Sequence, residues 1–279
     1  MKRIISMVLL PILVLFALSG CSGSGAQDSA AGVDAGVAYL KALEARDPAE
    51  VDAALKAIRR QNMLEQREEM LGKLQSGEIS VWSLFEDYVI MGDSRAAGFE
   101  YLEILDNNRL LGLYGESTDE MPNHYQALRD LNPSYLFLSY GLNDMLLEGN
   151  ETPEAFAEIY LTRLEALQAQ CPQAKIFVNN IFPCTDPAFD SKPGREKWRE
   201  NEAYNEAMEK VLRDTDFYYI SNDNITDFSQ YWVDDGIHFN RDFYQLWAAN
   251  MIMAVYDVEM GLDKPESEEP DVPEEIKEP

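Results

Sequence analysis

Three short segments carry side chains able to cooperate in acyl transfer: Gly92-Asp93-Ser94, Gly141-Leu142-Asn143-Asp144 and Asp235-Gly236-Ile237-His238. A serine hydroxyl attacks a carbonyl efficiently only when a base takes its proton. His238 is one of two histidines in the chain and is the candidate base. Asp235, three residues earlier, is spaced to bond the far ring nitrogen and fix the tautomer. The negative charge that develops on the attacked oxygen needs a donor already aimed at it, and the Asn143 side-chain amide is a candidate. Taken singly, Gly-Asp-Ser reads as a turn, and Asp-Gly-Ile-His as a turn followed by a surface histidine. The chemistry lies in the combination.

Such distant residues act together only if the fold gathers them. From Tyr88 onward, short apolar runs alternate with helical periodicity. Strands are predicted at 88–91, 109–114, 135–139, 175–181 and 217–220, and helices at about 95–106, 118–131, 152–170, 194–213 and 241–261. This alternation predicts an α/β domain with a five-stranded parallel sheet covered by helices on both faces, a three-layer sandwich. In such sheets, ligands bind beyond the carboxyl ends of the strands. Ser94 follows the first strand, Asn143 the third, and the Asp235/His238 loop the fifth. One rim of the sheet is therefore expected to collect them all.

These segments resemble the conserved blocks of the SGNH (GDSL-type) hydrolase family. Gly92-Asp93-Ser94 matches its first block, Gly141-Leu142-Asn143-Asp144 its third and Asp235-Gly236-Ile237-His238 its fifth. The glycine of the second block is matched by Gly115, with Gly112 as the fallback. The resemblance covers about 88–261 and implies a flavodoxin-like sheet, a Ser94 nucleophile, a His238 base oriented by Asp235, and no cofactor. It also implies an oxyanion hole built from the backbone N–H of Ser94 and Gly115 and from the Asn143 amide. The reaction implied is ester hydrolysis through an acyl-serine intermediate. By analogy with the family, the expected substrate is a small-molecule or glycan ester, with O-acetyl carbohydrate leading. Two alternatives stay open: an O-acyltransferase using the same site, and a non-catalytic surface binding lipoprotein. Many members have leucine where this chain has Arg95. That side chain is expected either to contact a substrate carboxylate or to pair with Asp144 or a helix end. Asp93 is expected to brace its loop.

The ends of the chain have other characters. Lys2 and Arg3 precede an apolar run, 4–18, shorter than the roughly 20 residues of a spanning helix. With Leu18-Ser19-Gly20-Cys21 this reads as a secretory signal and resembles the lipobox of bacterial lipoproteins. That resemblance implies cleavage at residue 20, lipidation of Cys21 and anchoring to the outer face of a bacterial membrane. Residues 21–32 read as a flexible tether, 33–80 as a helical arm, 81–262 as the hydrolase domain and 263–279 as a disordered acidic tail. Asp47-Pro48-Ala49-Glu50 is a helix start and Gly77 a stop.

The formal charge is −27, from 23 basic and 50 acidic residues. A chain this acidic repels nucleic acid and anionic headgroups, so no nucleic-acid partner is expected. Cys171 and Cys184 flank a predicted strand too long for disulfide reach and are expected to be free and buried. His124 is expected to have a surface or packing role. The aromatic residues around the histidine loop are expected in the core, with Trp232 a possible wall for a sugar or acyl group.

Overall fold

The computed structural model describes residues 33–34, 36–41, 47–105 and 107–263. The segments predicted as a signal, a lipobox ending at Cys21, a tether and, beyond residue 263, an acidic tail lie outside the described residues. Among the described residues, no helix is long and apolar enough to cross a membrane. The chain divides into two compact units, 1–59 and 60–279.

Helix α1, Pro48–Ser76, begins where the Asp47 side chain accepts the Ala49 N–H at 2.9 Å, with proline as the first helical residue. It ends at Gly77, whose φ of +74° is the left-handed conformation of a helix stop. Within the second unit, the last turns of α1 bury Leu74, and Arg67 makes a bidentate pair with Asp257 at 2.6 and 2.9 Å.

The sheet contains β1 (Tyr88–Gly92), β2 (Leu110–Leu111), β3 (Tyr135–Ser139), β4 (Lys175–Asn179) and β5 (Tyr218–Ile220). All neighbours are parallel and the order is β2-β1-β3-β4-β5, the doubly wound, flavodoxin-like arrangement. Strand side chains alternate between two apolar cores. Val89, Met91, Leu136, Leu138, Ile176 and Val178 face one, and Ile90, Phe137 and Phe177 face the other. The first core is closed by α4 (Pro153–Gln168) and α6 (Asn201–Leu212) through Phe156, Leu164, Tyr204 and Met208. The second is closed by α2 (Ser94–Tyr101) and α7 (Arg241–Met260) through Phe99, Phe243, Tyr244 and Trp247. Burial on both faces is why these strands read as continuous apolar runs.

Several elements are shorter than the sequence predicts. β2 is two residues rather than six: a Cβ on Gly112 would lie 2.0 Å from the Gly92 carbonyl oxygen, and the chain leaves the sheet there. β4 stops at Asn179 because the backbone of Ile181 is taken over by a side chain. Its N–H donates to Asn205 Oδ1 at 2.7 Å, and its carbonyl accepts from Asn205 Nδ2 at 2.9 Å. The predicted helix over 118–131 is a 3₁₀ segment, Thr118–His124, followed by α3, Tyr125–Leu131. Pro122 lacks the N–H a continuous α-helix would use. A short helix not foreseen, α5 (Asp186–Asp190), lies between β4 and α6. Cys171 and Cys184 are both free; the first is buried and the second half-buried.

Candidate active site

The turn after β1 is tight because Gly92 has no Cβ; one placed there would lie 2.5 Å from the Ser139 carbonyl oxygen on β3. Asp93 then donates its N–H to that same oxygen at 3.1 Å, and its carboxylate caps α2 by accepting the Arg95 N–H at 2.9 Å. The bracing role expected of Asp93 is thus a helix cap. Ser94 is the first residue of α2. Its N–H is among the leading amides of a helix, which have no partner within the helix.

The loop after β5 is folded back on itself by an antiparallel bridge between Trp232 and Phe239. Within it, Asp235 Oδ1 accepts the N–H groups of Ile237 and His238 at 2.8 and 2.9 Å, and Oδ2 lies 2.5 Å from His238 Nδ1. His238 Nε2 lies 2.7 Å from Ser94 Oγ. With Nδ1–H given to the carboxylate, Nε2 is left to accept the serine proton. Partial burial pushes the Asp235 carboxyl up, but the hydrogen bonds from His238 and Ile237 outweigh it and hold the group below its ordinary value. The site is open to solvent, the side chains of His238 and Asp235 being 29% and 44% exposed.

Asn143 lies in the turn after β3, and its Nδ2 donates to the Glu116 carbonyl at 2.8 Å. That bond joins the β3 turn to the loop after β2, where Gly115 is exposed with a φ of +80°. Gly112 is the glycine that lets β2 approach β1, which leaves Gly115 as the glycine of the loop itself. Glu116 is buried and pins the loop. Its carboxylate accepts the Leu113 N–H at 3.1 Å and faces His124 Nε2 at 3.0 Å. The next residue of the Asn143 turn, Asp144, is fully buried and accepts from the Thr118 backbone at 2.9 Å and from Arg163 at 3.3 Å. Burial drives its carboxyl upward against those donors.

Arg95 meets neither a substrate-facing surface nor Asp144. It is buried, and its guanidinium spans three backbone carbonyls: Ile237 from Nε at 2.9 Å, Phe182 from Nη1 at 2.7 Å and Pro183 from Nη2 at 2.7 Å. The residue after Ser94 therefore holds Ile237, one of the two residues between Asp235 and His238. Tyr244 closes the turn by donating to the Arg95 carbonyl at 2.9 Å, which is possible because Gly98 leaves room for its hydroxyl. Beside this cation the buried Asp93 carboxyl is pushed up to about 6 by desolvation, with Arg95 pulling in the opposite direction.

The structure thus brings Ser94, His238 and Asp235 into one hydrogen-bonded chain and joins Asn143 to the Gly115 loop. Cys21 lies outside the described residues. Trp232 stacks on Phe239 with ring centroids 4.5 Å apart and packs against the core. Sequence reasoning missed Glu116 and the clamp made by Arg95. The one trace in the sequence was a cation directly after Ser94, which does not by itself say what the side chain holds.

Among curated proteins, none matches the sequence. Several solved structures resemble the chain. A GDSL-like lipase from Bacteroides thetaiotaomicron VPI-5482 is 15% identical with a TM-score of 0.48, over 61% of this chain and 88% of that one. A lipase/acylhydrolase from Enterococcus faecalis is 16% identical with a TM-score of 0.46, over 64% and 98%. A Clostridium thermocellum family 3 carbohydrate esterase is 16% identical with a TM-score of 0.43, over 63% and 98%. The family model of GDSL-like lipases and acylhydrolases matches residues 90–246, more than half of the chain and a span that includes every candidate active-site residue named above. The chain belongs to the GDSL-like lipase/acylhydrolase family.

Proposed function

We propose that this hydrolase cleaves O-acetyl esters of carbohydrate through an acyl-serine intermediate on Ser94. The observation that supports it is the unbroken chain from Ser94 Oγ through the His238 imidazole to the Asp235 carboxylate. Ser94 Oγ attacks the ester carbonyl carbon while His238 Nε2 takes its proton. The tetrahedral oxyanion is held by the backbone N–H of Ser94 and Gly115 and by Asn143 Nδ2. As the carbonyl re-forms, the bond to the alcohol oxygen breaks and His238 returns the proton to it. Water then attacks the acyl-serine with His238 again as base, releasing the acid and restoring the serine. Asp235 holds the ring and stabilises its charged form, and no cofactor takes part.

The carbohydrate class rests on the family and on the proposal that residues 1–20 are a secretory signal and Cys21 a lipid anchor at the outer face of the membrane. Acetate release from O-acetylated glycans, compared between the wild type and Ser94→Ala, tests the reading. The expected result is release by the wild type and its near-complete loss in the variant. No release from any acetylated glycan would overturn the substrate class, and transfer of acetyl to a glycan hydroxyl would replace hydrolysis with transferase chemistry.

A further inference from the structure

We propose that Tyr114 and Tyr101 form a ledge on which a neutral sugar ring of the leaving alcohol stacks. The inference rests on the esterase reading above and deepens it. Large apolar side chains exposed singly are ordinary, but a contiguous group beside a reactive centre marks a binding surface. Tyr101, Leu113 and Tyr114 are 74, 63 and 61% exposed. The two tyrosine rings meet edge to face, with centroids 6.3 Å apart at 88°. The Tyr114 ring in turn lies 6.1 Å from the His238 imidazole at 68°.

The ledge is anchored where it counts. Tyr101 is the last residue of α2, the helix that Ser94 begins. Tyr114 directly precedes Gly115, on the loop pinned by Glu116 through the Leu113 N–H. The alcohol oxygen of the ester must sit against His238, because the nitrogen that takes the serine proton also protonates the departing alcohol. The Tyr114 ring, 6.1 Å from the imidazole, is the exposed apolar surface beside that position, and in this proposal it receives the group that carries the oxygen.

A sugar fits this surface better than an acyl chain does. Acyl groups call for a concave, enclosed apolar pocket, whereas these rings stand in water with their hydroxyls available. Amphipathic rings of this kind suit a ligand with C–H faces and a hydroxylated edge. The formal charge of −27 disfavours an anionic sugar, and the sugar proposed is a neutral one.

The test compares kcat/KM on acetylated xylo-oligosaccharide with kcat/KM on ethyl acetate, whose alcohol has no ring. It uses the full chain and the variants Tyr114→Ala, Tyr114→Phe and Tyr101→Ala. Loss of one stacking partner is expected to lower the glycan-to-ethyl-acetate ratio about tenfold in Tyr114→Ala, through KM, and by less in Tyr101→Ala. Tyr114→Phe keeps the ring face and is expected to restore most of the ratio. An unchanged ratio in Tyr114→Ala would overturn the ledge, as would a loss that grows from acetate to butyrate esters of one alcohol, which would assign the rings to the acyl group. Labelling of Ser94 by a fluorophosphonate separates the two readings: a wild type that labels but shows no ring-dependent selectivity loses only the ledge, and one that does not label loses the esterase reading and the ledge with it.

Discussion

Arg95 Nε lies 2.9 Å from the carbonyl oxygen of Ile237, so the neighbour of Ser94 grips the loop that carries His238. The same guanidinium holds Phe182 and Pro183 beyond the end of β4. One buried side chain thus ties the β1 turn to the rim segments that follow β4 and β5. Arginine suits this place because its planar fork presents several donors in fixed directions, which a lysine ammonium does not.

Replacing Arg95 by methionine leaves three carbonyls without their donor, and each unsatisfied buried group costs about 1–3 kcal/mol. Arg95→Met is expected to unfold at lower denaturant and to lose kcat more than it changes KM. Arg95→Lys is expected to recover part of the stability and little of the kcat, because a single ammonium cannot satisfy all three acceptors. Urea unfolding read beside steady-state kinetics checks both, and wild-type kcat in Arg95→Lys would contradict the clamp.

In the proposed mechanism, Asn143→Ala removes one donor to the developing oxyanion. Such a loss typically costs about 2.7–4 kcal/mol, or roughly 10²–10³ in kcat. KM is expected to change little, since the bond matters most in the transition state. The substitution also removes the tie to the Glu116 carbonyl. Hydrogen exchange at residues 113–117 is therefore expected to rise with the loss of rate. A variant within a factor of two of wild type would remove Asn143 from the oxyanion role.

Asp93 gives stability a pH dependence with a definite sign. Its carboxyl titrates near about 6 in the folded chain against an ordinary 3.8, with Arg95, Asp144 and His238 as its charged neighbours. A raised carboxyl binds its proton more tightly when folded, so its contribution is fully present below 3.8 and is lost as pH rises through about 6. Asp235 is depressed and acts in the opposite direction, losing its contribution only as pH falls below its ordinary 3.8. Asp93→Asn keeps an oxygen to cap α2 and removes the titration. The stability of the wild type relative to Asp93→Asn is expected to grow as pH falls from about 6 to about 4. A difference that stays constant across that window, measured by chemical denaturation, would contradict the upward displacement of the buried Asp93 carboxyl.

Gly236 sits between Asp235 and Ile237 with a φ of +68°, and a Cβ there would lie 2.1 Å from Thr185 Oγ1. Its carbonyl also accepts the Thr185 N–H at 2.9 Å, which docks the loop on the segment before α5. Gly236→Ala is expected to lower the melting temperature and kcat together, by displacing Asp235 relative to His238. Adding Thr185→Ala relieves the clash but not the backbone strain, so the double variant is expected to recover only in part.

How much of this could be read from the sequence depended on how local each cause was. Tyr88–Met91 and Tyr135–Ser139 were legible as strands because both faces are buried and the apolar run is continuous. The second strand was overread because nothing local shows that Gly112 will press against Gly92. In the site, Asp235 and His238 were legible as a pair by their spacing. Ser94 and Asn143 became legible once each was placed at a strand end, although 144 positions separate Ser94 from His238. Arg95 was not legible, because its partners are backbone carbonyls and these carry no sequence signature. The bond between His124 and Glu116 escaped for a related reason. Their separation of 8 positions crosses a loop and a 3₁₀ segment, so the two side chains do not share a face of one α-helix.

The account depends above all on an activated hydroxyl at Ser94, and labelling by a fluorophosphonate probe reads it directly. Intact mass and peptide mapping are expected to place one adduct on Ser94 in the wild type, at a rate strongly reduced in His238→Ala, with none at that residue in Ser94→Ala. A wild type that labels no more than Ser94→Ala would contradict it.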